Sequence, residues 1–139
     1  MPTRNVHIRS PFDAAQTPRQ VFRALSIPNW EERDSDNYPD GSYYLGQGGE
    51  VELKLSAGGH AAFEEFPYAI AVHTGTESPL SIDEVLDLMI GELLKAGFGV
   101  AREIHYKDGV VERELYSLDR SSNLVKSRDT VPIAETDEG

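Results

Sequence analysis

The sequence predicts an α+β domain built on a mostly antiparallel sheet of five or six strands. Three observations carry this. Residues 81–97 have the pattern of a capped amphipathic helix. Two short runs joined at Asp108-Gly109 follow it, the signature of a β-hairpin with a two-residue turn. Upstream, residues 50–56 alternate apolar and polar side chains, as a strand with one buried face does. The expected order is β-α-β-β-β-α-β-β, with the long helix packed across one face and a short helix near the N-terminus.

Val6 and Ile8 alternate with His7 and Arg9 in a short strand that Pro11 ends. Thr17 suits a helix N-cap, Pro18 the first helical position and Gln20 the second half of a capping box. Val21, Phe22, Ala24 and Leu25 then share one side, and Pro28 stops the helix near Ser26. The stretch 29–41 is rich in turn formers and is expected to be a long loop, anchored by Trp30, with Glu31 to Asp34 forming at most a brief strand or turn. Residues 42–45 and 50–56 form a hairpin turning at Gly46-Gln47-Gly48-Gly49, with Val51, Leu53 and Leu55 toward the core. Residues 66–73 are apolar on both faces and suit a central strand, with Pro67 near its start.

The main helix begins at Ser81, with Glu84 completing a capping box. Asp83, Glu84 and Asp87 lie near the positive end of its dipole and Lys95 near the negative end. Ile82, Val85, Leu86, Met89, Ile90, Leu93 and Leu94 form its apolar stripe, and Gly97 stops it. Gly91, in mid-helix, is expected to allow close approach to a strand. In the hairpin, an Asp108-Gly109 turn sets Tyr106 opposite Val111, His105 opposite Glu112 and Glu103 opposite Glu114. Arg102, Arg113 and Leu115 would then share a face. Residues 1–119 read as one domain and 120–139 as a polar, mobile tail, with Leu124-Val125 or Val131-Pro132-Ile133 touching the body.

Composition narrows the function. The chain of 139 residues has no Cys, which excludes disulfide scaffolds, Cys-based zinc sites and thiol nucleophiles. The N-terminus has no apolar core of secretory length, and no apolar run approaches the roughly 18 residues of a membrane span. The expectation is a soluble, cytoplasmic protein with no membrane partner. The formal net charge of -11 argues against nucleic acid as a direct ligand and favours a partner with a basic surface. The charge has a focus. Residues 1–30 carry four arginines against Asp13, whereas residues 31–50 carry six acids against Arg33.

Four groups of residues could carry chemistry. The loop Asp36-Asn37-Tyr38-Pro39-Asp40-Gly41 resembles a calcium loop in composition only. Tyr38 stands where an EF-hand needs an oxygen ligand and Gln47 where it needs Glu. Turn formation accounts for its residues. On the hairpin, Glu103, His105, Glu112 and Glu114 would cluster if the turn has two residues, and could bind a divalent metal or act as acid and base. A solvated sheet face explains the same residues. Among the four His, none at ligand spacing, His73 is best placed to line a cavity. Trp30, Tyr38, Tyr43, Tyr44, Phe63, Phe66 and Tyr68 could form a patch or line a pocket, although most are explained as core and strand formers.

The leading expectation is a non-enzymatic interaction protein of the inhibitor, immunity or assembly type, with self-association left open. Its partner-binding residues would be Trp30, Asp34, Asp36, Tyr38, Asp40, Tyr43 and Tyr44, with no cofactor. A small metal-dependent enzyme or metal-binding domain using the Glu103, His105, Glu112 and Glu114 cluster is the alternative. Small-ligand binding in an aromatic-lined pocket behind Tyr43, Tyr44 and Tyr68 is the third.

Overall fold

The computed structural model describes residues 3–34, 42–57, 61–75 and 79–133. The strands are β1 (Thr3–Arg9), β2 (Trp30–Asp34), β3 (Ser42–Gly48), β4 (Val51–Ala57), β5 (Tyr68–Thr74), β6 (Gly99–Lys107), β7 (Val110–Leu118) and β8 (Leu124–Pro132). The helices are α1 (Thr17–Ala24) and α2 (Ile82–Lys95), and Ala61–Phe63 forms a 3-10 turn. One antiparallel sheet holds all eight strands in the order β2-β3-β4-β5-β1-β6-β7-β8. It is two meanders, β2 to β5 and β6 to β8, joined by the N-terminal strand. β1 pairs along six residues with β5 but only through His7, Ile8 and Arg9 with β6.

The α+β class agrees with the sequence reading. The strand count of five or six does not: the sheet has eight. The two strands missed are the two edges. All four residues of β2 after Trp30 are charged and exposed, so no alternation marks it. β8 runs through the segment expected to be tail and pairs with β7 along its whole length. Most of its side chains are exposed; what ties it down is ladder pairing and the ion pairs of Lys126, Arg128 and Asp129, neither of which has a periodicity. The sheet therefore extends past residue 119.

One face carries both helices. Val6, Ile8, Leu53, Leu55, Ile70, Val72 and Val100 meet Val21 and Phe22 of α1 and Leu86, Ile90 and Leu93 of α2 in the main core. The capping box of α2 is as expected: Ser81 Oγ accepts from Glu84 N–H at 3.2 Å, and Ser81 N–H donates to Glu84 Oε1 at 2.9 Å. At its other end Gly97, at φ 98°, lets Phe98 N–H reach Leu93 carbonyl at 3.0 Å, the wide bond of a Schellman cap. Gly91 does not serve close approach, since a Cβ there would meet nothing within 4 Å. That role belongs to Gly46, read from sequence as a turn residue. It lies inside β3, and a Cβ there would collide with the Phe22 ring. The hairpin turn is shorter than expected, Gly49-Glu50, with Gly48 paired to Val51.

α1 is capped differently from the expectation. Its N-cap is Gln16, whose N–H donates to Asp13 Oδ1 at 2.8 Å. The Thr17 hydroxyl is buried and donates to the Asp13 carbonyl at 2.8 Å. At the C-terminus Ser26 adopts φ 58°, with Ile27 N–H on Phe22 carbonyl at 2.8 Å and Ser26 N–H on Arg23 carbonyl at 3.1 Å. This is also a Schellman cap, with serine where glycine is usual.

Among the described residues, the reverse face is covered over β1 and the second meander. Ala62, Phe63 and Phe66 pack there on Ala101 and Val111, with Leu115, Val131 and Ile133 at the margin. Phe66, read from sequence as the first residue of the central strand, precedes β5 and belongs to this smaller core. The His7 ring stacks on Phe63, centroids 3.8 Å apart. At its centre lies Arg113, whose side chain is 5% exposed. Its guanidinium donates to Asp129 at 2.9 and 2.7 Å, to Glu65 at 3.1 and 3.3 Å and to the Ala62 carbonyl at 2.8 Å, and lies beside the Phe63 and Phe66 rings. A buried cation is tolerable only when so fully bonded. The bonds to Arg113 hold the Glu65 and Asp129 carboxyls below their ordinary range.

Candidate interaction surface

The β2–β3 edge brings together some of the residues expected to bind a partner and separates others. Trp30 is anchored. It stacks on Phe22 at 5.2 Å and meets Tyr44 edge-on at 6.3 Å, so Trp30 and Tyr44 both pack on the helix side. Adjacent strand residues face opposite ways, and Tyr43 lies on the other face, with Lys54 Nζ 5.2 Å from its ring centroid. Tyr43 and the pair Tyr44 and Tyr68 thus stand on opposite sides of the sheet, and no single pocket lies behind all three. Glu31, Glu32, Arg33 and Asp34 are exposed along the edge, and Arg33 Nε donates to Glu31 at 2.9 Å. Asp36, Tyr38 and Asp40 lie outside the described residues.

The four polar residues of the β6–β7 hairpin do not converge. The turn is the two-residue one expected, with Asp108 at φ 56° and Gly109 at φ 76°. His105 opposes Glu112 as expected. A β-bulge between Glu103 and His105 then shifts the register by one residue. Glu103 opposes Arg113 on the reverse face, and Arg102 opposes Glu114. A one-residue slip exchanges the faces of everything beyond it. It also turns Arg113 and Leu115 away from the Arg102 face and brings Tyr116 into the main core. Glu112 and Glu114 are engaged by Arg128 at 3.4 and 3.6 Å, and the Tyr116 hydroxyl donates to Glu114 at 2.5 Å. Burial, then this bond, pushes the Tyr116 hydroxyl above the ordinary phenol range. Among the described residues no group of three or more His, Asp or Glu is placed to hold a metal. His73 opposes Glu52 and lines a small pocket of about 180 Å³ with Gln47 and Glu50.

An apolar concavity elsewhere on the molecule has other walls. A groove of about 470 Å³ lies between α2, the β3–β4 turn and the corner after α1. Leu25 and Ile27 come from the corner, Val51 and Leu53 from β4, and Val85, Leu88 and Met89 from α2, with Leu80 at one end and Glu92 at the other. The Ser26 cap shapes the corner, because the reversal there presents Leu25 and Ile27 to the same space. Leu88 is 62% exposed and Leu80 39%. Sequence reasoning missed this groove. One signal was present: Leu88 is a large apolar residue outside the buried stripe of its helix.

Among the described residues no helix is long and apolar enough to cross a membrane. No protein-family model, curated protein or solved structure matches the chain.

Proposed function

We propose that this chain is a non-enzymatic acidic interaction domain that binds a partner protein carrying a basic surface. The observation that carries the reading is the acidic sheet edge. β2 presents Glu31, Glu32 and Asp34 to solvent at the rim of the sheet, with Arg33 turned onto Glu31. The net charge of -11 extends the same field over the molecule. Such a field speeds encounter with a cationic partner and rejects an anionic one. Tyr43, on the helix-free face beside this edge, adds an aromatic contact of the kind that anchors interfaces. Replacing Asp34, Asp36 and Asp40 together by Asn tests the reading. Affinity for a basic partner recovered from cell extract and then purified is expected to fall, together with its dependence on salt. Unchanged affinity and unchanged salt dependence would sink the proposal.

A further inference from the structure

We infer that the groove between α2 and the α1–β2 corner seats an amphipathic helix of the partner, inserted by its aliphatic side chains and flanked by lysine or arginine. The inference rests on the reading of the chain as a binder of basic partners, and it adds where the contact is made and in what form.

Three features of the groove decide the occupant. The first is apolar exposure. Leu88 and Leu80 stand at its lip with 62% and 39% of their surfaces in water. Between them the volume of about 470 Å³ lies within the range of pockets that engulf a few apolar groups. The second is charge. Glu92 closes one end. Glu84 and Glu92 lie one helical turn on either side of Leu88, so the three share a stripe. Against these two carboxylates stands Lys95, itself 3.4 Å from Glu92. The rim is acidic around an apolar floor, the complement of an apolar stripe with basic flanks. The third is backbone. The walls are a helix, a closed two-residue turn and β4, which is paired on both sides. Among the described residues no strand edge opens into the groove. An extended peptide would find no ladder partner there, whereas a helix satisfies its own backbone and docks by side chains alone.

The probe is a short labelled helical peptide with leucines at i, i+3, i+4 and i+7 and lysines on its flanks, titrated by fluorescence anisotropy against the full chain. Saturable binding is expected, weakened about tenfold by Leu88→Asp, as loss of one buried leucine contact implies. Because Leu88 is largely exposed, this variant keeps its thermal midpoint; Leu88→Met, a second variant, keeps the binding as well. The same peptide with glutamates for lysines is expected to bind at least about tenfold more weakly at low salt. Binding indifferent to Leu88→Asp, or equal for the two peptides, would overturn the groove. So would binding of decanoate at this groove with no peptide binding. The two readings fail separately. Salt-sensitive peptide binding that ignores Leu88→Asp but falls in the Asp34, Asp36 and Asp40 triple variant removes the groove and keeps the acidic edge.

Discussion

Ser26 and Gly91 show how a single residue can sit against its local preference. Ser26 holds φ 58° to close the Schellman cap of α1. A left-handed backbone costs an ordinary residue about 1 kcal/mol that glycine does not lose. Ser26→Gly is therefore expected to raise stability by about 0.5–1 kcal/mol, read as a higher urea midpoint at unchanged slope. Gly91 is the converse, a flexible residue in mid-helix whose missing Cβ nothing replaces. Gly91→Ala is expected to add about 1 kcal/mol, or roughly 3 °C in thermal midpoint. A fall in stability would mean that the helix surface at 91 is covered in solution. Both residues were visible in the sequence. Only the dihedral angle of one and the empty space around the other tell which change helps.

At the scale of the element, β7 is the strand most dependent on what surrounds it. It carries Arg113 into the reverse-face core, where Glu65, Asp129 and two aromatic rings hold it. Removing the cation strands the carboxylates aimed at it, and Arg113→Met is expected to cost about 3 kcal/mol. The same contact makes the fold sensitive to acid. The folded Glu65 and Asp129 carboxyls are depressed. Their contribution is fully present above the unfolded carboxyl range, near about pH 4, and is lost as pH falls through the lower folded values. Thermal midpoints measured from neutral pH down to about pH 2 should thus drop less steeply for Asp129→Asn than for the native chain. Parallel curves would mean that this pair does not govern the acid limb. The bulge between Glu103 and His105 works at the same scale. By adding one residue to β6 it puts Arg113 opposite Glu103 on the reverse face and takes Glu103 away from the side that His105, Glu112 and Glu114 share.

Over the whole molecule, β1 is the seam. It joins the two meanders through partners far along the chain, Ala69 and Ala101 both pairing with His7. Its ladder to β6 is short, yet the main core runs unbroken from Leu53 and Leu55 of β4 to Val100 and Tyr116 of the second meander. A continuous core favours one cooperative transition. Trp30 reports the first meander and far-ultraviolet circular dichroism reports all the strands. Their urea midpoints are expected to coincide. In Ile8→Ala, which hollows the seam by about 2–5 kcal/mol, both should move together. Separate midpoints would show the meanders unfolding independently.

The sequence by itself determined those parts whose cause is local. The capping box of α2 needs Ser81 and Glu84 three residues apart, and its core face needs only a period of 3.6. The turn at Asp108-Gly109 needs two residues that tolerate positive φ. The alternation of β4 needs one wet side and one dry side. These could be read because each interaction spans a few positions. Tertiary structure decided what depends on distant partners. β2 and β8 became strands because a neighbour offered a ladder, not because their side chains alternate. Arg113 became a buried cation because Ala62, Glu65 and Asp129 came to it across the fold. The apolar groove formed where Leu25 and Ile27, Val51 and Leu53, and Leu88 and Met89 met from three parts of the chain. The acidic character of the surface was legible as a sum of charges; the apolar floor beside it required the fold, since residues that far apart in sequence share no local pattern.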